Sequence, residues 1–287
     1  MQKNNTNSAP HGHLPFRMTN DFIFKILLQE DENKDILIAL ICASLKNVSF
    51  EDIKSVQVLN PIEIGDTFDS KTMILDVKAI LNNNTIYNLE MQVVNNYDWP
   101  ERSVTYLCRC FDKMTVGEKY IEKCGAYHIS FLDYSLFPDE PEFCADYRIA
   151  NVGNGRIYTS KFGLTVIDLT KSYIATPDDR ERHLDLWALF FKATTWEDLQ
   201  MLAEKDEYIN TAYGRILRLS EDEKMRQLAE ARQDQLMQLN DFKYHFMQEI
   251  AEKDASIAEK DASIAEKDAE IQALRAELDR LKNNTNE

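Results

Sequence analysis

Residues 73–94 hold two apolar runs, MILDVKAIL (73–81) and IYNLEMQVV (86–94), joined by an Asn-rich turn, NNNT. Two short strand-like runs separated by a few turn residues predict a β-hairpin. Side chains alternate across a strand, so a hairpin decides which residues share a face. Pairing around the turn makes opposing residue numbers sum to about 166–168. Asp76 is then a neighbour of Glu90 and Gln92, with Asn88 and Lys78 on the same side. Two carboxylates a few ångströms apart repel unless something neutralises them. A hard divalent cation does so; Mg2+ is usually held by one or two protein carboxylates, water and substrate phosphate. Such an ion acidifies a water and stabilises charge growing on a phosphodiester. Gln92 can orient a water or a phosphate oxygen, but it lacks the charge a Lys would bring. The competing expectation is a solvated Asp/Glu pair on a one-sided sheet, balanced by Lys78.

The surrounding pattern predicts an α/β architecture. Residues 18–45 read as two helices with a polar break at 30–34, and Asn20 or Asp21 caps or opens the first turn. Residues 53–60 alternate as a strand, and PIEIGDTFDSKT reads as a loop. A helix is expected over 101–118, strands at 125–134 and 161–168, and an edge strand near 143–150. Residues 180–219 predict about three amphipathic helices anchored by Trp187, Leu189, Phe190 and Trp196. The expected division is a lead-in at 1–15, disordered; a sheet domain at 16–175; a helical subdomain at 176–220; and a long charged helix at 221–287.

Residues 250–271 repeat a heptad almost verbatim, IAEKDASIAEKDASIAEKDAEI. Ile250, Ile257, Ile264 and Ile271 take one core position, while Lys253, Lys260 and Lys267 occupy the places where Leu is expected. Leu236, Leu239, Phe246, Leu274, Leu278 and Leu281 extend the same seam. Helix propensity is high, and the narrow stripe predicts a weak coiled coil, a homodimer through the C-terminal helix; the competing expectation is a long solvated single helix.

Net charge is −16, and from residue 219 on there are 17 acidic against 10 basic residues. An acidic chain attracts nucleic acid poorly unless basic residues are gathered locally; Arg102, Arg109 and Lys113 are candidates. No uncharged apolar stretch is long enough to cross a bilayer, and the start, MQKNNTNSAPHGHLPFR, has no apolar core of a signal peptide, so a cytoplasmic location is expected. Five Cys without CxxC spacing fit free thiols. The five His are scattered and do not predict a metal site.

Taken in order, the motifs resemble a known family. An Asp, a turn and Glu-x-Gln in the next strand resemble the PD-(D/E)XK nucleases in the variant that carries Gln in place of Lys. TNDFIFKILL, LNPIEI, ILDVKAIL, YNLEMQVVNNYDWPERSVTYLCRCFD, GEKYIEKCGAYHISFLDYSLF and LTVIDLTK resemble successive segments of the PD-(D/E)XK nuclease family transposases, the Rpn-type recombination-promoting nucleases, over roughly residues 16–240. The resemblance implies a restriction-endonuclease-like core, a mixed sheet flanked by helices, followed by a helical segment and the long C-terminal helix. It implies Asp76 and Glu90 as ligands of Mg2+ or Mn2+, and Asp76, Glu90, Gln92 and Asp21 as the catalytic set. Arg102, Tyr106 and Lys25 are its candidate substrate-binding residues. Asp168 stands in IDLTK where the family often has Glu.

The expected activity is metal-dependent hydrolysis of DNA phosphodiester bonds, of the recombination-promoting or transposase-like type. The alternative is an inactive nuclease fold that binds or oligomerises through its tail. A dimer clamp pairing two active sites is a further option; it predicts that truncation near residue 225 spares nicking and impairs double-strand cutting.

Overall fold

The structure, a computed structural model, describes residues 10–29, 34–59, 76–82, 85–112 and 125–284. The loop PIEIGDTFDSKT, the polar break at 30–33, residues 73–75 of the first hairpin run, Lys113 and residues 114–118 of the expected helix lie outside them.

The hairpin forms. Strands β2 (Val77–Leu81) and β3 (Thr85–Gln92) pair antiparallel, with Val77 opposite Leu89 and Leu81 opposite Thr85, which is the expected register. Asn82 opens the connection at φ 55°, a left-handed conformation that Asn tolerates. β1 (Val56–Val58), shorter than the expected 53–60, flanks β2. β4 (Gly125–Leu132) and β6 (Phe162–Asp168) add parallel to β3, and β5 (Cys144–Arg148) closes the edge antiparallel to β6. The six-stranded order is β1-β2-β3-β4-β6-β5, a mixed sheet as expected.

Helices cover both faces. On one, α3 (Trp99–Phe111) packs Trp99, Leu107 and Cys110 against Ile86, Ala126, Leu132 and Val166. It starts two residues earlier than the expected 101. Pro100 in the first turn needs no amide partner there, so the helix accepts it. On the other face lie α1 (Asp21–Leu28) and α2 (Asp35–Ser44). Phe24 of α1 meets Phe131 of β4 and Phe191, with ring centroids 5.6 and 5.5 Å away. The three helices expected over 180–219 form, as α5 (Leu184–Lys192), α6 (Trp196–Ala203) and α7 (Glu207–Glu221), and a short α4 (Pro177–Glu181) precedes them. Thr176, Thr195 and Asp206 cap α4, α6 and α7, so these sequence breaks are starts of new helices. Trp187, Phe190 and Trp196 are buried anchors, but Leu189 is 44% exposed. At 100° per residue it points away from the single face that Leu184, Trp187, Ala188, Phe190 and Phe191 bury.

The chain divides into two compact units, Met1–Leu236 and Met237–Glu287. The last helix, α8 (Glu223–Asn284), begins inside the first unit, where Met225, Leu228, Ala229 and Leu236 are buried. The first unit therefore runs past residue 220. At its other end, Leu14 N donates to Thr194 O at 3.0 Å and Trp196 N donates to Gly12 O at 3.0 Å. The stretch 10–15, expected as disordered lead-in, is thus pinned to the start of α6. In the second unit Ile250, Ile257, Ile264 and Ile271 are exposed along α8; the side chains of Leu278 and Leu281 lie outside those described. Cys42, Cys108, Cys110 and Cys144 are free thiols.

Candidate active site

β3 is covered on both faces, and two of its polar residues pay for that in lost solvation: Asn88 is fully buried and Glu90 is 9% exposed. The expectation of a solvated surface pair therefore fails at Glu90. Polar groups are retained in such a strand only with partners or with a function. Asn88 has a partner, its amide nitrogen donating to His128 Nδ1 of β4 at 2.8 Å. Burial pushes His128 down to about 3, so the ring is neutral and accepts that bond. Asn88 Oδ1 and His128 Nε2 are buried without a hydrogen-bond partner, and Glu90 is likewise half satisfied. Its Oε1 accepts from Arg102 Nη2 at 3.3 Å, and its buried Oε2 has no hydrogen-bond partner.

A cleft of about 410 Å3 opens onto Glu90, lined by Asp21, Asp76, Lys78, Glu90, Met91, Gln92, Arg102, Tyr106, Arg109 and Arg232. Asp76 sits one step beyond the last ladder pair, Val77 with Leu89, so continued register sets it against Glu90. Lys78 Nζ lies 3.3 Å from Asp76 Oδ2. Gln92 ends β3 on the side of Glu90, its amide donating to Val94 O at 2.8 Å. Asp21 comes from α1, which packs on the opposite face of the sheet, yet this first helical residue reaches the cleft. Asn20, not Asp21, is the cap: its side chain accepts from Phe22 N and Ile23 N. Asp21 is instead gripped by Arg232 of α8, with Nε to Oδ1 at 2.8 Å and Nη2 to Oδ2 at 2.5 Å.

The hairpin and α1 thus bring Asp76, Glu90, Gln92 and Asp21 to one cleft, and α3 adds Arg102 and Tyr106. Arg102 Nη2 also donates to Tyr106 OH at 3.3 Å, and its guanidinium stands over the Trp99 and Tyr106 rings. Lys25 differs from the expectation for a substrate contact. It is 2% exposed and not among the cleft-lining residues. Burial lowers it to about 8, while the charge of Asp76 works the other way and that of Lys78 adds to the lowering. Asp168 is also outside the cleft; its carboxylate accepts from Thr170 N and Oγ1 at 2.9 and 2.5 Å and caps the turn after β6.

Glu90 is pushed up from 4.5 to about 7, chiefly by burial. Arg102 opposes this, Asp76 and Asp21 add to it, and Lys78 opposes it. The arginine contact therefore does not cancel the cost of holding a carboxylate here. Among the described residues no group of three or more His, Cys, Asp or Glu is arranged to hold a metal. Asp76 and Glu90, the latter with its inner Oε2 unpartnered, still offer the hard oxygen donors that Mg2+ or Mn2+ takes when water and phosphate complete its shell. The cleft's charged lining is four cations, Lys78, Arg102, Arg109 and Arg232, against three carboxylates, in a chain of net charge −16.

Two of these cations were not legible as site residues. Lys78 reads in the sequence only as a neighbour that could balance Asp76, and Arg232 lies in a stretch that reads as charged tail. Nothing local marks Arg232, because its partner is 211 positions away.

A family model described as PD-(D/E)XK nuclease family transposase matches residues 18–245. No curated protein and no solved structure matches.

Proposed function

Since the chain belongs to the PD-(D/E)XK nuclease family transposases, we propose that it is a divalent-metal-dependent DNA endonuclease acting through the cleft at the end of β3. The observation that carries this reading is the buried Glu90, with its unpartnered oxygen, set beside Asp76 in a cleft that also gathers four cations. Asp76 and Glu90 would hold Mg2+ or Mn2+. When bound, that ion supplies an acidified water and charge stabilisation at the phosphodiester. Gln92 directs a neutral amide into the same space and orients a water or a phosphate oxygen. Arg102 and Tyr106, already joined, present a guanidinium and a phenol for phosphate oxygens. Lys78 balances Asp76 and adds positive charge beside the scissile position. Asp21 lines the wall under the grip of Arg232.

The second unit would serve as the dimer element. Its Ile250–Ile257–Ile264–Ile271 stripe is exposed in a single chain, and a second copy covers it by heptad packing.

One observation favours a binding module without catalysis: Glu90 already accepts from Arg102. The two readings separate on one experiment. Purified chain with Mg2+ or Mn2+ is expected to nick supercoiled plasmid, and Asp76→Ala to lose the activity. Nicking that persists in Asp76→Ala removes the site assignment. No nicking, together with no Glu90-dependent metal binding by calorimetry, favours the binding module.

A further inference from the structure

We propose that Arg232 is a positioning residue of the cleft, holding the Asp21 carboxylate against its wall, so that the site is complete only with the first turns of α8. The inference rests on the nuclease reading above and adds to it a dependence on the C-terminal helix.

The geometry is two-pronged. Arg232 Nε and Nη2 both reach the Asp21 carboxylate, at 2.8 and 2.5 Å, and Nη1 donates to Gln235 Oε1 at 3.2 Å. Arginine's planar fork matches a carboxylate in direction as well as charge, so this contact sets the orientation of Asp21 rather than its charge alone. The arm that carries Arg232 is itself fixed. Asn20 Nδ2 donates to Ala229 O at 2.9 Å, one turn before Arg232, while its side-chain Oδ1 caps α1. Met225, Leu228 and Ala229 are buried in the main core. Asn20 and Asp21 thus tie the start of α1 to α8 by two adjacent contacts. Both partners of the ion pair line the cleft, together with Asp76 and Glu90. Without Arg232, Asp21 would add an unbalanced negative charge beside two other carboxylates, in the place a phosphate must enter.

The test uses the full chain with Arg232→Lys, Arg232→Gln and the exchanged pair Asp21→Arg/Arg232→Asp. Thermal unfolding, DNA affinity without metal, and the rate and Mg2+ dependence of plasmid nicking are measured for each. Arg232→Lys keeps the charge and loses the fork. It is expected to fold, to bind DNA as the wild type does, and to nick on the order of tenfold to a hundredfold more slowly, or at correspondingly higher Mg2+, as when a residue behind a metal site is lost. The exchanged pair rebuilds the ion pair with its ends reversed. Its melting temperature is expected to recover relative to Arg232→Gln while its nicking does not. Wild-type nicking by the exchanged pair or by Arg232→Lys would overturn the proposal and leave the nuclease reading intact. An exchanged pair that fails to recover stability leaves Arg232→Lys as the deciding variant. A wild-type chain that never nicks ends both.

Discussion

At the scale of single residues, Glu90 is held at a cost. Its proton is bound more tightly in the folded chain, at about 7, than at the ordinary 4.5. Folded protein therefore binds more protons than unfolded protein between those values, and stability falls as pH rises through that window. The deficit is complete above about pH 7 and absent below about pH 4.5. Metal-free Glu90→Gln is expected to be more stable than the wild type at pH 8 by on the order of 2–3 kcal/mol. The gap should close toward pH 4.5, as read by urea unfolding across pH. A constant gap would mean that Glu90 is not strained by ionisation. Asp76, Glu90 and Gln92 were legible because a hairpin is a local device: its turn and alternation set the face and register together. The Asn88–His128 contact was not, because it joins β3 to β4 across a parallel crossover whose register no local pattern reports.

At the scale of elements, α8 belongs to both units. Its first turns are buried in the first unit and carry Arg232; beyond Leu236 the second unit exposes the heptad stripe. A truncation near residue 225 would remove Leu228, Ala229 and Arg232, so it cannot isolate the role of the repeat. Truncation after Leu236 does. For the stripe itself, Ile257→Asp with Ile264→Asp puts charge at two successive core positions. The double variant is expected to shift the full chain from dimer to monomer by sedimentation, with the melting of the first unit unchanged. A wild type that is monomeric at all concentrations would sink the dimer. Helix existence and heptad spacing were readable because both follow from neighbours in sequence. The division of labour within α8 was not: Leu236 belongs to the same seam as Ile250 in the sequence, yet it is buried in the first unit.

At the scale of the whole molecule, the DNA substrate proposed above sets a polyanion against an acidic chain. On that proposal the answer is local: Lys78, Arg102, Arg109 and Arg232 line one cleft. DNA affinity should then fall steeply with salt, since each neutralised phosphate contributes roughly −0.9 to the slope of log affinity against log salt. Arg109→Gln, at an exposed position on α3, is expected to lower that slope by about 1 without altering the melting temperature. An unchanged slope would place the DNA elsewhere. The hairpin, the helix-forming stretches, the heptad repeat and the order of family motifs were determined by the sequence alone, because each depends on residues close together along the chain. The tertiary structure decided that α1 and α8 meet at Asp21 and Arg232, that Lys25 is buried, and that Glu90 lies under α3 rather than in water. Those outcomes depend on which surfaces exclude water from one another, and that is settled only when distant segments pack.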